Sequence, residues 1–120
     1  SGAAKISMPK LNEASILQVN PSATAAGLTK AGLGEPNEPT VYRPSGTINF
    51  FRIVAADDLQ GALGANWAKE LGATKAYILH DGEVYGQGLA QVFRDHAKKI
   101  GLEVVGYDAI EVKASNYRSI

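Results

Sequence analysis

Two hydroxyls, Ser22 and Thr24, sit in the segment Asn20-Pro21-Ser22-Ala23-Thr24, just past the run Ile16-Leu17-Gln18-Val19 that reads as a strand. Hydroxyls and turn amides suit the capture of a small zwitterion or carboxylate. Burying such a charge without partners costs several kcal/mol, so several neutral donors must converge on its oxygens. The alternation along the loop turns Thr24's hydroxyl and amide hydrogen toward one spot. A turn followed by a helix cap has the same composition, and these residues alone leave both readings open.

Tyr85 is the second candidate. From Tyr77 to Leu89 an apolar strand enters the polar turn His80-Asp81-Gly82-Glu83 and then an amphipathic helix. Tyr85 therefore stands at a strand's carboxyl end, where open α/β sheets bind ligands. An ordinary half-buried tyrosine at a helix start is the alternative. His80-Asp81 resembles a base with its orienting carboxylate, but neighbours on a strand point to opposite faces. His96 borders a helix's apolar stripe and reads as a solvent-edge residue. Gly86-Gln87-Gly88 lacks the third spaced glycine and the distal acid of a dinucleotide fingerprint. Glu83, Asp57 and Asp58 are scattered carboxylates with no histidine at metal spacing. No catalytic residue, metal or cofactor is expected.

The elements that must hold these residues alternate. Ile6, Met8, Leu11 and Ala14 give an imperfect helical period over Ala4 to Ala14, and Pro9 places the start near Ser7. A turn over Ala25 to Thr29 follows the hydroxyl loop. Lys30 to Thr47, with Pro36, Pro39, Pro44 and Gly46, reads as an irregular surface loop. The run Asn49 to Val54 is extended, and Asp57 or Asp58 is suited to cap the next helix. That helix carries Leu59, Leu63, Trp67 and Leu71 at four-residue spacing as its packing face and stops at Gly72. Strand Thr74 to Leu79, a helix with Leu89, Val92, Phe93, Ala97 and Ile100 on one stripe, and strand Leu102 to Tyr107 form a βαβ unit, expected to be parallel with a right-handed crossover. Ser115 to Arg118 reads as the start of a further helix. The chain begins and ends inside a pattern, so truncation is expected.

Composition bounds the class. The 120 residues, 45% hydrophobic, suit one compact domain or a piece of a larger one. Twelve basic and twelve acidic residues cancel, and no basic run tracks phosphates, so nucleic acid is not an expected partner. The absence of cysteine removes disulfides and thiolate chemistry and leaves the compartment undecided. No stretch approaches the ~20 apolar residues of a membrane span.

Taken in order, Asn12-Glu13-Ala14-Ser15-Ile16-Leu17, Asn20-Pro21-Ser22-Ala23-Thr24, Leu28-Thr29, Phe51-Arg52, Asp58-Leu59-Gln60-Gly61, His80-Asp81 and Tyr85-Gly86-Gln87-Gly88-Leu89 carry a resemblance. Nearly the whole chain resembles the leucine/isoleucine/valine-binding proteins of bacterial ABC importers, and the Lys30 to Thr47 loop is longer than their usual connection. The resemblance implies a type I periplasmic binding protein: a Rossmann-like three-layer α/β/α fold with parallel sheets, two lobes and a ligand cleft between them. It further implies that residues 1–49 end the first lobe, 50–58 cross between lobes, and 59–120 begin the second.

The ligand-binding set it implies is Ser1, Ser22, Ala23, Thr24 and Tyr85. By this resemblance the Ser22 main-chain carbonyl takes an α-ammonium, Thr24's hydroxyl and amide take the α-carboxylate, Ser1 is a further carboxylate partner, and Tyr85 is the second lobe's aromatic wall. The implied role is capture of branched-chain amino acids or related small carboxylates without catalysis. The implied partner is an ABC permease, with the protein in the periplasm or otherwise extracytoplasmic, free or lipid-anchored. A ligand-sensing regulator or receptor with the same two-lobed fold is the alternative. The segment alone, with apolar surface open, is expected to form a homodimer.

Overall fold

The computed structural model describes residues 1–114 and 116–118. Helices and strands alternate: α1 (Gly2–Glu13), β1 (Gln18–Asn20), β2 (Phe50–Arg52), α2 (Asp57–Glu70), β3 (Lys75–His80), α3 (Val84–Lys99) and β4 (Glu103–Ala109). β1 pairs parallel with β2, and β3 with β4, in two separate two-stranded sheets. The α/β class and the parallel pairing agree with the sequence reading, although each strand sits a residue or more from its expected bounds. The expected helix start at Ser115 to Arg118 includes Ser115, which lies outside the described residues; 116–118 form no helix.

α1 begins at Gly2 and runs through Pro9. A proline there removes one intrahelical hydrogen bond. Ala4, Met8 and Asn12, at four-residue spacing, are all buried, and Ala4 and Met8 pack with Ala23, Leu28, Tyr42 and Phe50. That burial outweighs the lost bond. Asn12 ties the helix to the end of the long loop. Its Nδ2 donates to the Thr47 carbonyl at 2.8 Å, and its Oδ1 accepts from Ser45 N–H and Oγ–H at 3.0 and 2.8 Å.

The long loop is irregular, as expected, but it is not merely a surface excursion. Glu38 is buried within it, pairs with Lys5 of α1 at 2.6 Å, and accepts hydrogen bonds from the Tyr42 hydroxyl and Glu35 N–H. Burial alone would raise the Glu38 pKa; the bonds from Lys5, Tyr42 and Glu35 hold it below the usual value. Gly27 and Gly34 close over this carboxylate, their backbones so near that an added Cβ on Gly34 would fall 2.8 Å from the Gly27 Cα.

α2 departs from its sequence reading in two ways. Its N-cap is Ala56, with Asp57 and Asp58 inside the first turn, so neither aspartate is the capping residue. The expected packing face is also the wrong one. Leu59, Leu63, Trp67 and Leu71 are 54 to 72% exposed, while Gly61 and Ala65 are buried. The small side chains let α2 approach α3 closely, which a row of large residues would prevent. A Cβ on Gly61 would lie 2.8 Å from Val92 Cβ and 2.9 Å from the Phe93 backbone nitrogen. Ala65, Ala97 and Leu102 form the buried centre of this half, with Ala68, Phe93, Ile100 and Val104 around them. His96 is not left to solvent but meets Asn66 Oδ1 at 3.0 Å across the same contact.

Gly61→Ala is expected to destabilise the fold by about 1 to 3 kcal/mol, the usual range for overpacking, although alanine is the better helix former. Urea unfolding checks this. An unchanged or raised midpoint would mean that the helices separate at little cost.

Candidate functional site

The parallel arrangement brings the carboxyl ends of strands and the amino ends of helices to one region. Ser1 caps α1, and its Oγ accepts the Ala25 N–H at 3.1 Å. The Thr24 carbonyl accepts the Asp57 N–H, in the first turn of α2, at 2.9 Å. One turn on, Gln60 Nε2 donates to the Tyr85 hydroxyl, at the start of α3, at 3.3 Å. A Cβ on Gly2 would lie 4.0 Å from the Val84 side chain, so α1 and α3 also meet at their amino ends. Ser1, the Ser22–Thr24 loop and Tyr85 are thus linked around the first turn of α2. Three helix amino termini gather there, and each carries partial positive charge that favours an anion.

Within the loop, most peptide groups are already committed. Asn20 Oδ1 accepts the N–H groups of Ser22 and Ala23 at 2.9 and 2.7 Å. In a trans peptide the N–H and the preceding C=O point opposite ways, so the Ser22 carbonyl is turned outward. The Thr24 carbonyl is taken by Asp57 and the Ala25 N–H by Ser1. In the Ser22–Thr24 segment, two main-chain groups have no partner among the described residues: the Ser22 carbonyl, an acceptor, and the Thr24 N–H, a donor. Ser22 is exposed, Ala23 is buried, and Thr24 is buried with its Oγ1 unpartnered. Ala23 contributes packing here, in the core with Met8 and Phe50.

Asp57 stands out beside them. It is 2% exposed, and neither carboxylate oxygen has a well-formed hydrogen bond. Burial raises its pKa; the nearby Thr24 hydroxyl and Arg52 guanidinium pull it down, and Asp58 pushes it up. An acid held this way can still accept a cationic or hydrogen-donating group. Its neighbour Asp58 is instead paired with Lys30 at 2.7 Å. Asp57 borders a cavity of about 600 Å³ between Lys5 and Glu38 on one side and Gln87, Gln91 and Asp95 of α3 on the other. Its helix-start position makes it look like a cap in the sequence. Only its burial without a partner separates it from one.

Tyr85 is held by the turn before it. Gly82 has φ of 76°, in the left-handed region, and Asp81 Oδ1 accepts the Glu83 N–H at 2.9 Å. His80 Nδ1 accepts the Gly82 N–H at 3.0 Å, and its ring lies 4.9 Å from that of Tyr107. His80 and Asp81 are therefore each engaged in shaping the turn, and they do not form a dyad. Gly86, Gln87 and Gly88 lie inside α3. Tyr85, 42% exposed, also borders an apolar groove of about 500 Å³ with Leu79, Leu89 and Phe93. Among the described residues, no three His, Cys, Asp or Glu side chains gather as a metal site, and no helix is long and apolar enough to cross a membrane.

Comparison with known proteins gives a consistent result. Residues 1–120 match the family described as periplasmic binding protein. The chain is 30% identical over 100 residues to an amino acid binding protein of Pseudomonas aeruginosa, covering 82% of this chain and 23% of that protein. It is 30% identical over 106 residues to a Leu/Ile/Val/Thr-binding protein of Salmonella typhimurium, covering 88% of this chain and 25% of that protein. The chain thus spans about a quarter of the length of these relatives. Its fold resembles that of an ABC transporter substrate-binding protein from Desulfitobacterium hafniense solved in complex with Leu, with a TM-score of 0.65 and 24% identity over 89% of this chain and 29% of the other. Helices alternating with parallel strands, and a match along the full sequence, place this chain in the periplasmic binding protein family, a family of non-enzymatic solute-binding proteins.

Proposed function

We propose that the protein is the extracytoplasmic solute-binding component of an ABC importer and that it captures branched-chain amino acids reversibly between two lobes. Residues 1–49 belong to the first lobe, 50–58 cross, and the remainder opens the second. One observation carries the capture role: the Ser22–Thr24 segment, whose peptide groups are committed except for one acceptor and one donor, beside a buried acid whose oxygens lack a well-formed hydrogen bond. The Thr24 N–H and hydroxyl, aided by the helix amino termini and Ser1, receive the α-carboxylate. The Ser22 carbonyl and Asp57 receive the α-ammonium. The buried acid favours a zwitterion over a plain carboxylate, since a carboxylate alone would meet it as a like charge. Tyr85 supplies an aromatic wall from the second lobe. The names of the relatives, which bind leucine, isoleucine and valine, support the same ligand class. An ABC permease is the partner that receives the closed, liganded form.

In the intact protein, Thr24→Val keeps the side chain's shape and removes a donor. Leucine affinity should fall roughly ten- to a hundredfold, the range for one lost bond to a charged group. Tyr85→Ala should weaken binding through lost contact area. Calorimetry decides: unchanged dissociation constants in both variants, with native circular dichroism, would place the cleft elsewhere.

Asp57 makes the site unfavourable to the empty fold. Its pKa is raised in the folded chain above the ordinary 3.8, so its contribution to stability is fullest at low pH and is lost as pH rises through the folded value. Asp57→Asn should therefore stabilise the ligand-free protein near pH 7, lose that advantage near pH 3, and bind leucine more weakly. Urea unfolding at both pH values tests the sign; a variant less stable at neutral pH would show that the carboxylate has a structural partner.

The 120-residue segment alone supplies only part of each lobe. It should bind leucine weakly or not at all, and it should associate as a homodimer through the α2 stripe and the free edges of its short sheets. Light scattering checks this, and a monodisperse monomer at high micromolar concentration would refute it.

A further inference from the structure

Arg52 ends β2, and its side chain turns back over the loop that carries Ser22 and Thr24. Nη1 donates to the Ala25 carbonyl at 2.8 Å and reaches the Ala23 carbonyl at 3.4 Å. Nη2 donates to the Thr29 hydroxyl and reaches the Ala26 carbonyl at 3.5 Å. One planar guanidinium thus gathers four acceptors from a single loop. Burial lowers its pKa, while Asp58 and Asp57 act in the opposite direction and keep the cation in place.

The consequence lies on the far side of the peptide planes. Drawing the Ala23 carbonyl toward Arg52 turns the Thr24 N–H away from Arg52, because the two groups of a trans peptide are opposed. That N–H is the free donor of the loop. Asn20 fixes the two peptides before Ala23 through the Ser22 and Ala23 N–H groups, and Arg52 fixes the next through the Ala23 carbonyl. We infer that Arg52 is a positioning residue for ligand capture, aiming the Thr24 N–H at the ligand carboxylate by holding the Ala23 and Ala25 carbonyls on the opposite side of the loop. The inference rests on the capture role proposed above. A lysine would not substitute, since a single ammonium nitrogen lacks the fork that spans several carbonyls.

Arg52→Lys in the intact protein separates this role from general support. In the ligand-free state, the residual dipolar coupling of the Thr24 N–H should shrink as that peptide begins to rotate, while couplings in α1 and α2 stay as they were. In calorimetry, the leucine dissociation constant should rise roughly tenfold, as for one misaligned bond to a charged group. Leucinol, which keeps the ammonium and side chain but has no carboxylate, should bind the variant as it binds the wild type. Unchanged dipolar couplings at Thr24 would overturn the inference whatever the ligand. Equal weakening toward leucine and leucinol would also overturn it, since loss of general support affects both. A wild-type protein that binds no amino acid, with the Thr24 coupling still sensitive to Arg52, would overturn the capture role and leave the aiming of the amide standing.

Discussion

Everything in this site depends on parallel strand pairing. When strands run the same way, each must be followed by a crossover, and every strand's carboxyl end faces the side on which the next helix begins. In this chain that rule gathers Ser1 before α1, Thr24 after β1, Asp57 at the head of α2 and Tyr85 at the head of α3. They come from positions scattered over most of the sequence. Within each of the two sheets the backbone topology aligns these ends, and the Ser1–Ala25, Thr24–Asp57 and Gln60–Tyr85 bonds join them to one another. The side chains then do finer work: Asn20 and Arg52 set the faces of individual peptides, and Gln60 ties α2 to Tyr85.

Much of this order is legible in the residues. Alternating β-branched runs and apolar stripes mark strands and helices because burial on one face imposes a period, and the parallel βαβ unit from Lys75 to Ala109 follows from its spacing. The Ser22–Thr24 loop and Tyr85 are readable as candidates because hydroxyls beyond a strand's end are chemically suited to a charged ligand. Asp57 is not readable. A carboxylate at a helix start has an ordinary role there, and only the fold reveals that it is buried without a partner. Arg52 is hidden for a related reason: its acceptors are main-chain carbonyls, which every sequence has.

α2 shows where periodicity misleads. Leu59, Leu63, Trp67 and Leu71 form the stronger hydrophobic stripe, yet the helix packs through Gly61, Ala65 and Ala68. The reason is distance. Small residues allow two backbones to come close and gain many weak dispersion contacts, a gain that hydrophobicity of single side chains does not register. The large stripe remains exposed as a row of apolar side chains along one face of the helix. The loop from Lys30 to Thr47 misleads in the opposite direction: proline and glycine mark it as irregular, but a buried Glu38 salt bridge gives it a fixed seat against α1.

The close seating of α2 on α3 has a mechanical side. With Gly61 pressed against the Val92 side chain and the Phe93 backbone, there is little slack between the two helices for one to slide without the other. Any rotation at the segment 53–56, where the chain leaves β2, must then carry α2, α3 and the strands beneath them as a single lever. Tyr85 rides on that lever, while the hydroxyl loop is tied to α1 through Ser1 and meets the lever only at the first turn of α2, through the Thr24 carbonyl. A small angle between β2 and α2 would be converted into a displacement of an aromatic ring relative to the hydroxyl loop, with the length of the helix pair setting the gain.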